Sequence, residues 1–192
     1  MEDSFILASK SDTALVSAIL GEAFTADPLV LWISAHPQYS SYIFELLMPF
    51  YFEHGEVWIN KDKNTALMCL KPGAKNNFQP SFKQIVYFVK TFGLGAFYRI
   101  NKLSYLMNKH HYKEDHYYVL ALGTTAEGRS EGNGAKMLRY IINRARCFRV
   151  PTYGENSNIL SNGAIYEHLG GDVLGRVKLN SKGLGFEPII FR

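Results

Sequence analysis

One stretch, from His116 to Pro151, constrains this chain more than any other. His116 to Leu122 (HYYVLAL) is dense in aromatic and branched residues and reads as a strand. A turn-prone loop follows, Gly123 to Gly128, and then Arg129-Ser130-Glu131-Gly132-Asn133-Gly134-Ala135. Beyond it Met137, Leu138, Ile141, Ile142, Ala145 and Phe148 recur at helical spacing, and Pro151 marks the end of that helix. Glycines between a strand and a helix permit positive φ and let a ligand approach the backbone closely. The free N–H groups of the first helical turn then form an anion site, aided by the helix dipole. Arg129 adds a positive charge. Two nucleotide motifs fail here. A P-loop needs Gly-Lys-Ser/Thr, whereas Gly134 is followed by Ala135-Lys136-Met137. A dinucleotide fingerprint needs a third Gly or Ala where Met137 stands.

The pattern that fits is Arg/Gln-x-x-Gly-x-Gly/Ala between a long strand and a long amphipathic helix. Arg129, Gly132 and Gly134 match it position by position, and it resembles the acetyl-CoA-binding motif of the GNAT superfamily of N-acetyltransferases. Ser161 to Gly171 (SNGAIYEHLGG) resembles a second segment of that family, after its fifth strand. Ala23 to Trp32 (AFTADPLVLW) is a weaker match to its early substrate-side helices. The main resemblance spans Tyr117 to about Leu179. Two departures stand in the loop: Thr125-Ala126 where the family often has Asp-Pro, and Ser130 where it often has Gly.

The resemblance implies an α/β fold, the acyl-CoA N-acyltransferase fold: a mixed, mostly antiparallel central sheet flanked by helices, as a single domain over residues 1–192. Acetyl-CoA is the implied ligand, held in a V between two splayed central strands. Leu122, Gly123 and Thr124 would offer backbone groups to the acyl-pantetheine arm. The loop Arg129, Ser130, Glu131, Gly132, Asn133, Gly134 and Ala135 would cradle the pyrophosphate. Asn158, Asn162 and Tyr166 complete the implied binding set. A peptide N–H at Leu122 would stabilise the developing oxyanion. Tyr166 lies at the family's general-acid position; a phenol of pKa about 10 donates to a leaving thiolate whose conjugate acid is near about 8.5. Glu155 or His116 would relay the proton of the attacking amine.

Other features bound the function. The 192 residues suffice for one sizeable core. A formal charge of +4 is too mild to imply nucleic acid binding. Arg129, Lys136, Arg139, Arg144, Arg146 and Arg149 cluster, however, and read either as a solvated helix face or as a positive field around a polyphosphate. Cys69 and Cys147 read as reduced, buried thiols. The acidic start lacks the basic and apolar regions of a secretory signal, and no apolar run approaches the roughly 20 residues of a membrane span, so a cytoplasmic location and no membrane partner are expected. His110, His111 and His116 lack completing ligands, so no metal is expected. A homodimer is compatible with the resemblance.

The remaining pattern predicts a strand at Phe5–Ala8, then a helix capped by Ser11 or Asp12 and broken at Asp27-Pro28. A second helix over about Ser40–Phe52 is interrupted by Pro49. A hairpin follows, Glu56–Asn60 with Thr65–Leu70. Residues 74–115 predict two helices packed on the sheet, or else a substrate-side lid rich in Tyr87, Tyr98 and Tyr105. Thr152–Glu155, a helix from Asn162 to His168, and strands Val173–Leu179 and Leu184–Phe191 close the chain. Two functions follow: an N-acetyltransferase acting on a small-molecule or peptide amine, or a non-catalytic acyl-CoA sensor.

Overall fold

The computed structural model describes residues 4–34, 36 and 39–192. The acidic start at 1–3 lies outside them. Among the described residues the strands are β1 (Phe5–Leu7), β2 (Gly55–Asn60), β3 (Thr65–Leu70), β4 (Tyr117–Thr124), β5 (Thr152–Asn156), β6 (Gly171–Val173), β7 (Val177–Lys178) and β8 (Gly185–Phe191). They form one sheet in the order β1-β2-β3-β4-β5-β8-β6, with β7 paired to β8. Every pairing is antiparallel except β4 with β5. This is the mixed, mostly antiparallel sheet that the family resemblance implies.

Helices cover both faces. α1 (Thr13–Ala23) and α3 (Ser40–His54) pack on one, through Val16, Leu20, Met48 and Tyr51 against Met68, Tyr118 and Ala121. α6 (Asn133–Cys147) packs on the other, where Met137, Ile141 and Ala145 meet Leu67, Cys69 and Tyr117. Leu138 and Ile142 of the same helix meet Ile189 and Phe191 of β8. These five α6 residues are the predicted apolar stripe. Phe148 is not part of it: it caps the helix end and is 61% exposed, because the chain has left helical geometry there. Of the two cysteines, Cys69 is buried and free while Cys147 is free but exposed, against the expectation of two buried thiols.

Several boundaries differ from the sequence pattern for identifiable reasons. A single 3-10 turn at Lys10–Asp12 precedes α1, and the Asp12 carboxylate accepts the Ser9 N–H at 2.8 Å. Asp27-Pro28 ends one helix and also starts another, α2 (Pro28–Ile33). Asp27 Oδ1 accepts the Leu29 and Val30 N–H groups at 2.9 and 3.1 Å, and proline at the first helical position lacks only a donor that would be unpaired anyway. Pro49 sits inside α3, which runs on to His54. The predicted strand Val173–Leu179 splits at Gly175, φ 125°, into β6 and β7, both of which pair with β8.

The segment predicted as two helices on the sheet is α4 (Phe82–His110), bent at Gly93, which has φ 83° and ψ 164°. Its main partner is α2, and it reaches the sheet only at its β7–β8 end. Phe88, Ala96 and Leu103 pack on Leu29, Val30 and Ile33 of α2, Ile43 of α3 and Phe186 of β8. Tyr87, Tyr98 and Tyr105 point outward, being 44%, 69% and 65% exposed.

Two substitutions test these packing arguments. A Cβ on Gly123 would lie 2.6 Å from Ala23 Cβ and 3.1 Å from Leu20 Cδ2, so this glycine sets the approach of α1 to β4. Gly123→Ala is expected to lower unfolding free energy by about 1–3 kcal/mol in urea titration, the usual effect of overpacking. Burial lifts the Asp27 carboxyl, and the hydrogen bonds from Ser157, Val30 and Leu29 only partly offset this. A carboxyl lifted in the folded state stabilises most when protonated, and that contribution is lost as pH rises through its folded-state value. Asp27→Asn should therefore flatten this part of the stability-versus-pH curve while keeping the cap. Asp27→Ala should lower stability by about 1–2 kcal/mol through loss of the cap.

Candidate functional site

The site begins where β4 and β5 part. They pair over Tyr117–Thr152, Tyr118–Tyr153 and Val119–Gly154 only. On its other edge β4 stays paired with β3 as far as Thr124, but Leu120 is a bulge: Val119 faces Cys69 and Ala121 faces Met68. An extra residue bends a strand and increases its twist. β5 meanwhile stays with β8 to Asn156. Beyond the third pair, therefore, β4 and β5 each have one edge without a strand partner.

A cavity of about 1170 Å³ fills and extends this V. Leu122, Gly123 and Thr124 line one arm, and Gly154, Glu155 and Asn156 line the other. On the α1–α3 side the walls come from α2, α3 and α4, including Phe24, Phe44, Tyr51, Phe88 and Phe97. α4 thus supplies a wall of the site through its apolar side, while the tyrosines that suggested a lid face away from it.

At the far end the glycine loop opens α6. Gly132 has φ 68°, ψ 22°, the left-handed conformation that glycine adopts without a steric penalty, and it occupies the N-cap position. No side chain caps this helix. Arg129, Gly132, Gly134 and Ala135 line the cavity, whereas Ser130, Glu131 and Asn133 do not. Asn133 is buried on the other side, donating to Glu131 Oε2 at 2.7 Å and to Asn64 Oδ1 at 3.3 Å. The β2–β3 turn therefore anchors the loop: Asn64 O also accepts the Thr125 N–H at 2.8 Å, and Glu22 Oε1 accepts the Ala126 N–H at 2.8 Å. The family's Asp-Pro is thus replaced by the start of a short helix, α5 (Ala126–Arg129), held from outside. A Cβ at Gly134 would come within 3.1 Å of Thr124 Oγ1, so a side chain there would press into the cradle. The loop thus fits a diphosphate: uncapped N–H donors, a wall without side chains, and one guanidinium. Of the cationic cluster, Arg144 is engaged elsewhere, pairing with Glu56 at 3.0 Å and lying over the Trp58 ring. Arg146 is held by the Arg192 carbonyl.

α7 (Ile159–His168) begins three residues earlier than the pattern predicts, which places Asn162 inside it rather than at its start. Asn158 holds the N-cap position. Asn158, Asn162 and Tyr166 recur every fourth residue, so they share one face, and all three line the cavity. Burial lifts the Tyr166 phenol above its ordinary value, the negative Asp27 lifts it further, and Asn162 offsets part of this.

Two carboxylates reach the same cavity. Asp27, which sequence reasoning treated only as a helix breaker, also accepts a short hydrogen bond from Ser157 Oγ. With three donors on it, this acid joins α2 to the end of β5. Its Asp-Pro start was the available signal. Glu155 differs: its side chain is 2% exposed, and neither oxygen has a hydrogen-bond partner among the described residues. The hydroxyls of Tyr51, Tyr118 and Tyr153 are likewise buried without partners. Burial raises all three phenols, the charge of Glu155 raises them further, and the hydroxyls of Tyr118 and Tyr153 lie close enough to Glu155 for a hydrogen bond to it to raise theirs as well. His116 does not line the cavity, although its ring packs against Tyr153 with centroids 5.2 Å apart.

No family model and no curated protein sequence matches the chain. Solved structures do. An acetyltransferase of Corynebacterium glutamicum, described as a histone acetyltransferase HPA2 and related acetyltransferase, superposes with a TM-score of 0.68 at 19% identity, covering 98% of this chain and 94% of that one. The arylalkylamine N-acetyltransferase 2 of Aedes aegypti gives 0.65 at 15% identity, covering 98% and 97%. The polyamine N-acetyltransferase of Drosophila melanogaster gives 0.61 at 14%, covering 97% of each. The sheet, the V between β4 and β5 and these full-length superpositions together show that the chain has the fold of these acetyltransferases.

Proposed function

We propose that the chain, as one domain over residues 1–192, is an N-acetyltransferase that moves an acetyl group from acetyl-CoA to a primary amine. The observation that carries this reading is the continuity of one cavity from the uncapped start of α6, through the V, to a pocket holding buried carboxylates. Acetyl-CoA, when bound, supplies the activated thioester. Arg129 and the amides around Gly132 and Gly134 hold its diphosphate, with Leu122, Gly123 and Thr124 alongside the pantetheine arm. A peptide N–H of the unpaired edge of β4, at Leu122, would be available to the thioester carbonyl oxygen as charge develops on it. Tyr166 would supply the proton to the leaving sulfur, and burial keeps that phenol protonated well beyond neutral pH.

The amine must lose a proton before it attacks. Glu155 has at most the neighbouring Tyr118 and Tyr153 hydroxyls for partners, whereas Asp27 already accepts three well-formed hydrogen bonds. Glu155 is therefore the proton acceptor, and Asp27 positions α2 and Ser157 and sets the field at Tyr166. The apolar aromatic walls and buried acids suit a small cationic amine with an apolar body. Proteins of this fold described as arylalkylamine and polyamine acetyltransferases support that acceptor class. The NatC complex, solved with a peptide and CoA, keeps a peptide amine within it. Among the described residues no helix is long and apolar enough to cross a membrane. Together with two free cysteines, this supports a cytoplasmic enzyme.

Calorimetry with CoA, followed by thiol release from acetyl-CoA over an amine panel, tests this function. Arg129→Ala is expected to weaken CoA binding about tenfold or more, the effect of one charge-assisted hydrogen bond. Tyr166→Phe should lower kcat about a hundredfold while CoA affinity holds. It should also abolish the alkaline limb of the pH–rate profile, which in the native enzyme lies above the ordinary phenol range. CoA binding without turnover on any amine would favour a sensor of acyl-CoA instead.

A further inference from the structure

The formal charge of +4 conceals a segregation of sign along the chain. Between Asp62 and Glu114 there are nine Lys or Arg and no Asp or Glu, whereas the rest of the chain has twelve Lys or Arg against seventeen Asp or Glu. Most of this basic stretch is α4 (Phe82–His110). Beyond its bend at Gly93, the residues Leu94, Tyr98, Lys102, Tyr105 and Lys109 recur every third or fourth position and so share one face of the helix. The other side, with Ala96, Ile100, Leu103 and Met107, packs among α2 and the β7–β8 end of the sheet. Leu94 is 74% exposed, and Tyr98, Tyr105 and Lys109 are exposed with it. Before the bend the same mixture repeats. Phe82 is 81% exposed, and Lys83, Tyr87 and Lys90 are exposed beside it.

None of the α4 lysines pairs with a carboxylate among the described residues. Arg99 is used differently: its guanidinium donates twice to the Ile33 carbonyl, at 3.2 and 2.8 Å, and ties the helix to α2. The outer side of α4 therefore alternates ammonium groups with apolar and aromatic groups and carries no acid. A face that meets only water has no use for Phe82 and Leu94, and both signs of charge are normally mixed on it. A nucleic-acid surface would account for the lysines, but Leu94 can neither stack on a base nor hydrogen-bond to one. An anionic lipid surface accounts for both kinds of residue. Lysine stems lie along apolar material while their ammonium groups meet phosphate, tyrosines sit at headgroup level, and Phe and Leu enter the acyl boundary.

We propose that the outward face of α4 docks on a membrane surface that carries anionic lipid. The expectation of no membrane partner rests on the lack of a spanning segment, and a helix lying in the interface needs none. The docking stands independently of the acetyltransferase reading, but it bears on it. Asn101, Ser104 and Asn108, each next in sequence to one of the outward residues Lys102, Tyr105 and Lys109, line the cavity. Docking through this face holds the α4 wall of the cavity beside the lipid.

Flotation of the full chain with vesicles of phosphatidylcholine alone, or of phosphatidylcholine with phosphatidylserine, reads the docking directly. Binding to the anionic vesicles is expected to be about tenfold tighter or more, and to weaken as salt is raised. The triple variant Lys90→Glu, Lys102→Glu, Lys109→Glu should reduce it by about tenfold or more. The double variant Leu94→Ser, Tyr98→Ser should reduce it about tenfold while leaving the salt dependence in place. None of these side chains lines the cavity, so CoA affinity and melting temperature should stay near native. Should a variant fold poorly, the milder pair Lys102→Gln, Lys109→Gln should still weaken vesicle binding severalfold. No binding to anionic vesicles at low salt, equal binding to both vesicle types, or native binding in the variants would overturn the docking. Binding of single-stranded RNA in preference to vesicles, undisturbed by Leu94→Ser, Tyr98→Ser, would overturn it in favour of a nucleic-acid surface. A protein inactive on every amine that still binds anionic vesicles would count against the acetyltransferase reading and support the docking.

Discussion

The site depends on one constraint: β4 and β5 run parallel but pair over only three residues. The bulge at Leu120 turns β4 while β3 holds it, and β8 holds β5 on its own course. Two backbone edges that would otherwise satisfy each other are left facing a gap. Unpaired backbone groups in a protein interior demand partners. A ligand with amide groups along a linear arm, as in the proposed acetyl-CoA, would answer that demand.

The elements around the gap are positioned by contacts distant in sequence. Asn64, in the β2–β3 turn, holds both Thr125 and Asn133 and so fixes the shape of the glycine loop. Glu22 at the end of α1 holds Ala126. Asp27 caps α2 and binds Ser157, tying the acceptor-side wall to the end of β5. Each of these polar groups serves two elements, which gives the loop and the pocket a fixed relation to the strands between them.

Electrostatics divides the cavity into two regions. At the mouth, helix N–H groups and Arg129 favour an anion. In the pocket, Glu155 and Asp27 favour a cation, and buried phenols remain neutral around them. The proposed transfer from acetyl-CoA to an amine would use both regions, the negatively charged donor at one end and a cationic acceptor at the other.

The strand, glycine loop and α6 were legible because local rules govern them: β-propensity, positive φ at Gly132, and the stripe Met137, Leu138, Ile141, Ile142, Ala145. The β2–β3 hairpin and the four-residue spacing that carries Asn162 and Tyr166 into the site are equally local. Nothing local separates Asn133, which turns into the core, from Gly134, which lines the cavity, because that depends on Asn64, 69 residues earlier. The bend of α4 is written in Gly93, but its place mainly on α2 is a matter of tertiary packing. The same holds for Glu155, whose type is visible in the chain, while its place among Tyr118, Tyr153 and Tyr51 depends on the pairing of β4 with β5 and on the packing of α3.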